Sequence, residues 1–236
     1  MSDSPPSNVL QRIRRNLART ALRAALTPCD FSIIANDCWG GEIYRRLKLP
    51  YRTPFVGLYL MTPCFIRMLE QKDLRGFLAQ PLKWIEHSRY EAVMLEKKRI
   101  GNYPSALLGG EVEIHFMHYR SREEATEKWS RRLQRVNWDN LIFKMDYGKD
   151  LATVAHLKRF EALGWQKKLA FGPQPHIGLP HAVAVQNYTA HGVDMVRRVA
   201  HELNLVRWLQ TGEIRRFNGK VFGWRRSLHA SFWQWL

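Results

Sequence analysis

An α/β fold, with a layered, mostly parallel or mixed central sheet flanked by helices, is the class this sequence predicts, and three observations predict it. Short apolar runs rich in branched and aromatic residues, such as FSIIA (31–35) and NLIFKMD (140–146), alternate with stretches whose apolar residues recur every three to four positions. Helix-start signals, Thr62-Pro63 and Ser121-Arg122-Glu123-Glu124, fall between the two kinds of segment. The apolar share is 45% in 236 residues, and a chain of that length buries roughly 70% of the surface its unfolded form exposes. Strand alternating with helix in one self-sufficient core is the layered α/β pattern.

The elements follow in order. Residues 1–8, MSDSPPSN, are polar and proline-bearing and predict a disordered tail. Residues 9–27 form a basic amphipathic helix that stops near Pro28. At about 100° per residue, Leu10, Ile13, Leu17, Ala21 and Ala24 share one face, and Arg12, Arg15, Arg19 and Arg23 the other. The α/β domain is predicted over 28–213. It opens with strands at 31–35 and 55–61, and Thr62 is the expected cap of a helix with Pro63 at its first position. GEVEIHFMHY (110–119) alternates as a strand. The capping box at Ser121 starts a helix carrying Ala125, Trp129, Leu133 and Val136. A strand at 140–146, a helix at 151–163 capped by Asp150, strands at 167–171 and 181–186, and a helix over 194–210 complete the domain. The segment 214–236 is aromatic and basic, suited to packing on the domain or to an interface.

Thirty-seven Lys plus Arg against 21 Asp plus Glu leave a formal net charge of +16, which attracts anionic surfaces: nucleic acid, anionic lipid, or phosphorylated and acidic sugars. No nucleic-acid-binding signature accompanies that charge, so sequence-specific nucleic-acid binding is not expected. The arginine face of residues 9–26 suits an anionic membrane surface. Three cysteines, Cys29, Cys38 and Cys64, lack disulfide or metal spacing, which points to a reducing compartment. Neither a spanning segment nor a continuous apolar leader is present. The expected location is cytoplasmic, peripheral to the inner face of the membrane.

Loops that follow strand carboxyl ends carry the chemistry of α/β folds. NDCWGGE, directly after FSIIA, is therefore the leading site. Asn36, Asp37, Trp39, Gly40, Gly41 and Glu42 are candidate substrate contacts, and Cys38 is a candidate nucleophile whose pKa a following helix would lower. Period two puts His115 and His118 on opposite strand faces, which disfavours a two-histidine metal site; His118, near the strand's carboxyl end, is the candidate base. Asp146, at the end of another strand with Lys144 on its face, suits general-base chemistry on a sugar or phosphate. Arg132 and Arg135, with Lys128 and Arg131, offer a basic helix face for phosphate or carboxylate. The loops after 31–35, 111–118 and 140–146 are expected to converge. A G-x-G-x-x-G fingerprint is absent, and no motif assigns a cofactor or a metal.

The stretches FSIIANDCWGGEIYRRLKLPYRTPFVGLYL, EVEIHFMHYRSREEATEKWSRRLQRVNWDNLIFKMD and VRWLQTGE resemble a bacterial family labelled exopolysaccharide biosynthesis protein, also known as domain of unknown function nineteen-nineteen. The resemblance runs over about residues 30–212; the arginine-rich helix and aromatic tail stand outside it. It implies an α/β fold and a part in making surface polysaccharide or capsule, and it assigns no catalytic residue. A transferase acting on nucleotide- or lipid-linked sugar, or an anionic glycan, is the function expected, with Cys38, His118 and Asp146 as catalytic candidates. Two alternatives stand beside it: a cysteine-dependent hydrolase or acyltransferase using Cys38 and His118, which a looser likeness to papain-like cysteine peptidases also suggests, and a non-catalytic scaffold of polysaccharide assembly.

Overall fold

The computed structural model describes residues 7–97, 101–190, 192–217, 231–233 and 236. Four strands, β1 (Ser32–Ala35), β5 (Leu141–Asp146), β6 (Lys168–Gly172) and β7 (Ala182–Ala184), form a parallel sheet in the order β1-β5-β6-β7. Between β1 and β5 the chain builds a second sheet, antiparallel, from β2 (Lys83–Ile85), β3 (Ser105–Leu108) and β4 (Val112–His115). The α/β class is as expected, with parallel and antiparallel strands in two sheets.

Alternate strand side chains build a core on each face of the parallel sheet. Ile34, Phe143, Met145, Ala170 and Ala182 face one way. They meet α3 (Thr62–Leu69), α6 (Arg122–Leu133), α7 (Val154–Ala162) and the apolar side of the second sheet. Ile33, Ala35, Ile142, Leu169, Phe171 and Val183 face the other way, against α2 (Trp39–Leu47), α8 (Gly192–Glu202) and α9 (Leu205–Thr211). Both faces are covered, which is why these strands read as continuous apolar runs. The short helices α4 (Leu74–Leu78) and α5 (Glu91–Glu96) flank β2.

Several boundaries depart from expectation, each for a local reason. The run 55–61 is no strand: Gly57 turns at φ +74°, and only Tyr59 makes a bridge, an antiparallel one to His115. That bridge ties the sheets together, because the next amide, Leu60 N–H, donates to Asn36 O at 2.9 Å. Met61 is the cap residue of α3, and Thr62 is its first helical position. Asp150 does not cap α7. Its backbone sits at φ +57°, and the Thr153 hydroxyl accepts from His156 N–H at 3.2 Å instead. The single helix expected over 194–210 divides because Asn204 starts a new one, its side chain accepting from Arg207 N–H at 3.0 Å. The capping box at α6 forms, with Ser121 Oγ accepting from Glu124 N–H at 3.2 Å. The carboxylate of Glu124 reaches Arg120 N–H, one residue before the cap.

The basic helix is α1 (Ser7–Ala25), and it packs on the face that holds α2. Its buried stripe is Ala18, Leu22 and Leu26, not the predicted Leu10, Ile13 and Leu17, which face outward. Residues 1–6 of the predicted tail and 218–230 and 234–235 of the aromatic segment lie outside the described residues. Trp233 from that segment is fully buried in the α2–α8 core.

Candidate functional site

The polar centre lies at the carboxyl ends of β1 and β5. Asn36, one residue past β1, clamps them: its Oδ1 accepts from Asp146 N–H at 2.9 Å, and its Nδ2 donates to Asp146 O at 3.2 Å. A side-chain amide thus extends the backbone ladder by one rung. Asp37 follows, buried at the entrance to α2. Its carboxylate accepts from Trp39 N–H at 3.1 Å and from Lys144 Nζ at 2.7 Å, and Lys149 Nζ stands 2.8 Å from its other oxygen. Lys144 is fully buried beneath the Phe171 ring, 4.3 Å from its centroid. Asp146 accepts from Gly148 N–H at 2.9 Å and from the Tyr188 hydroxyl at 2.6 Å, with Lys149 Nζ 3.5 Å away.

This packing makes the two carboxyls unequal. Burial opposes ionisation of Asp37, but Lys144 and Lys149 outweigh it and hold that carboxyl well below the usual range. At Asp146 burial wins. Lys144 and Lys149 offset it only in part, the Asp37 charge adds to it, and the carboxyl is pushed up. Burial also pulls Lys144 down, against the attraction of Asp37 and Asp146. Lys149 goes the other way, because Asp37, Asp146 and Asp150 together exceed the cost of its burial. Two carboxyls driven apart by their surroundings are the arrangement that acid/base chemistry uses, and one that a buried ion network also produces.

Of the expected site residues, the fold brings together Asn36, Asp37, Lys144 and Asp146, with Cys38 beside them. Cys38 sits at the start of α2 without capping it, its Sγ 3.7 Å from Leu58 O. The expected lowering of its pKa does not occur. Burial and then the Asp37 charge push the thiol up to about 11, against the smaller pull of Lys149. His118 is exposed in the turn after β4, where its backbone N–H donates to Gly57 O at 2.9 Å. Among the described residues no hydrogen bond joins it to Cys38.

The remaining candidates, Arg135 apart, are engaged in packing, ion pairs or hydrogen bonds within the fold. Trp39 is fully buried against Phe171 and Trp208, with ring centroids 5.9 and 6.0 Å away. A Cβ at Gly40 would stand 2.8 Å from Ile33 Cγ2, so this glycine lets α2 approach β1. Gly41 faces Val56 in the same way, at 3.2 Å. Glu42 is buried and paired with Arg45 and Arg46, each at 2.6 Å. Arg132 turns inward to the Tyr119 hydroxyl at 2.5 Å and Val56 O at 3.3 Å, while Arg135 is exposed, so the expected basic cluster is split.

Lys149, Tyr188 and His115 escape the sequence reading. Lys149 had a local signal, the Gly-Lys that follows the strand-end Asp146. Tyr188 arrives from the loop after β7, 42 positions away, with none. His115, the rejected alternative to His118, is fully buried. Its Nδ1 lies 3.1 Å from Ser105 Oγ and its Nε2 3.3 Å from Glu113 Oε1, and its ring stacks on Tyr59 at 4.6 Å. Burial pushes it down to about 4, against the charges of Glu113 and Asp150. Among the described residues no group of three or more His, Cys, Asp or Glu side chains forms a metal site.

Fold and centre define the class: an α/β protein with a charged, mostly buried centre at the carboxyl ends of a parallel sheet. The chain belongs to the family described as Domain of unknown function (DUF1919), whose model matches residues 9–211. The match takes in most of α1, which lies outside the stretches that carry the motif resemblance. A Haemophilus influenzae protein described as "Uncharacterized protein" is 32% identical over 182 residues, covering 77% of this chain and 80% of its own length.

Proposed function

We propose that the protein is a transferase of surface-polysaccharide assembly, acting on a nucleotide- or lipid-linked sugar through the Asp37–Asp146 centre. The observation that carries this reading is the inequality of those two carboxyls around Lys149. Asp37 stays ionised and anchors both lysines. Asp146, with its raised pKa, is the more basic carboxylate and takes a proton from an acceptor hydroxyl. The Tyr188 hydroxyl donates to Asp146 at 2.6 Å, the same kind of hydrogen bond that an acceptor hydroxyl would make. Nucleotide- and lipid-linked sugars both carry a phosphate at the reacting carbon, and the Lys149 ammonium would neutralise it as it departs. The polysaccharide assignment rests on the motif resemblance given above, and the net charge of +16 accords with a phosphorylated substrate.

The test is glycan and precursor analysis in a strain that lacks the protein, complemented with wild type or Asp146→Asn. The expected result is loss of polymer and accumulation of a sugar-phosphate precursor with Asp146→Asn. Normal polymer from a folded Asp146→Asn protein would leave the centre a structural ion network and the protein a scaffold.

A further inference from the structure

Helix α1 carries two apolar stripes, and the domain covers one. Ala18, Leu22 and Leu26, spaced four apart, are 0%, 3% and 1% exposed. Val9, Leu10, Ile13 and Leu17 lie on another side of the helix at 55%, 59%, 48% and 63% exposure, continued by the exposed Ala21 and Ala24. Among the described residues, other exposed large apolar side chains, such as Leu95, Met117 and Ile177, are dispersed over separate loops and helices. Single exposed apolar residues are ordinary, whereas a contiguous stripe marks an interaction surface.

Charge identifies what covers it. At about 100° per residue, Arg12 and Arg23 border the stripe on one side and Arg14 on the other, and α1 contains no Asp or Glu. Arg19 is engaged elsewhere, its Nε donating to Arg46 O at 3.0 Å. A second copy packed stripe to stripe would bring these arginine borders against each other. Nucleic acid would meet the arginines and leave the leucines wet. No described helix is long and apolar enough to cross a membrane.

We infer that α1 lies flat on an anionic lipid bilayer, its Val9–Leu17 stripe at the boundary of headgroup and acyl chain and its bordering arginines on lipid phosphates. The contact holds the domain at the surface through the Ala18–Leu26 stripe. It is independent of the sugar-transfer reading, since no residue of the polar centre takes part.

The test is co-sedimentation of the full chain with phosphatidylcholine vesicles, with and without phosphatidylglycerol. Wild type is expected to bind the anionic vesicles at least about tenfold more tightly than the neutral ones, and less tightly as salt rises. Replacing Leu10, Ile13 and Leu17 together by Asn is expected to abolish binding with the melting temperature unchanged. Arg12→Gln with Arg14→Gln is expected to weaken binding about thirtyfold. Should the Asn triple melt early, the arginine pair, wholly on the exposed side, decides alone. Equal binding to neutral and anionic vesicles, or wild-type binding by either variant, overturns the inference. So does a dimer that the Asn triple dissociates while no vesicle is bound, which assigns the stripe to a second copy. Polynucleotide binding without vesicle binding overturns it as well.

Discussion

Acidification should unfold this protein through His115. The ring is fully buried and its pKa falls from 6.5 to about 4, burial being the main cause. Because the folded pKa is the lower one, the unfolded chain binds the proton more readily between those values. Stability is therefore complete above pH 6.5 and is lost as the pH falls toward 4. The full difference amounts to about 3 kcal/mol, at 1.4 kcal/mol for each pH unit. Between pH 7 and pH 5 the loss is about 2 kcal/mol, since at pH 5 the unfolded histidine is almost wholly protonated and the folded one almost wholly neutral. The assay is urea unfolding at pH 7, 6 and 5 for wild type and His115→Gln. Glutamine keeps a partner for Ser105 and cannot titrate, so the difference between the two pH slopes isolates the histidine. Parallel slopes, whatever the absolute stabilities, would refute the reasoning.

Asp37→Asn leaves Lys144 buried without its closest counter-charge and should cost about 3–5 kcal/mol in urea unfolding, with most of the loss recovered when Lys144→Met is added; a single-variant cost under about 1 kcal/mol contradicts the pairing. Gly40→Ala should destabilise by about 1 kcal/mol, because overpacking against Ile33, a cost of about 2 kcal/mol, outweighs the helix-propensity gain; thermal melting checks the sign, and a stabilised variant would disprove the close contact. With its thiol pushed up to about 11, Cys38 should react sluggishly with iodoacetamide at neutral pH and speed up only in strong alkali. Mass spectrometry showing fast labelling that saturates below about pH 8 would restore the nucleophile reading.

Legibility followed the range of the forces involved. FSIIA and NLIFKMD were readable as strands because burial on both faces imposes a continuous apolar run, and Ser121 was readable as a cap because its partner is three residues away. Asp37 and Asp146 were legible as site candidates because strand ends in an α/β fold are where side chains meet. The basic cluster of Arg132 and Arg135 failed because α6 ends at Leu133, before Arg135, and because Arg132 turns inward to Tyr119. His118 was preferred to His115 for its place near the expected carboxyl end of the strand. The strand, however, ends at His115, and the bridge to Tyr59 that buries it is a long-range event.

The sequence by itself determined the α/β class, the strand ends that carry Asp37 and Asp146, and the basic helix with its Leu10–Leu17 apolar stripe. These depend on periodicity and on contacts a few residues apart. Only the tertiary structure decided which stripe of α1 is covered, that Gly40 and Gly41 serve close packing, that burial pushes the Cys38 thiol up, and that Lys149 and Tyr188 join the centre. Each of those turns on burial or on a partner distant in the chain, and the energies of charge and desolvation exist only once the fold has placed those groups together.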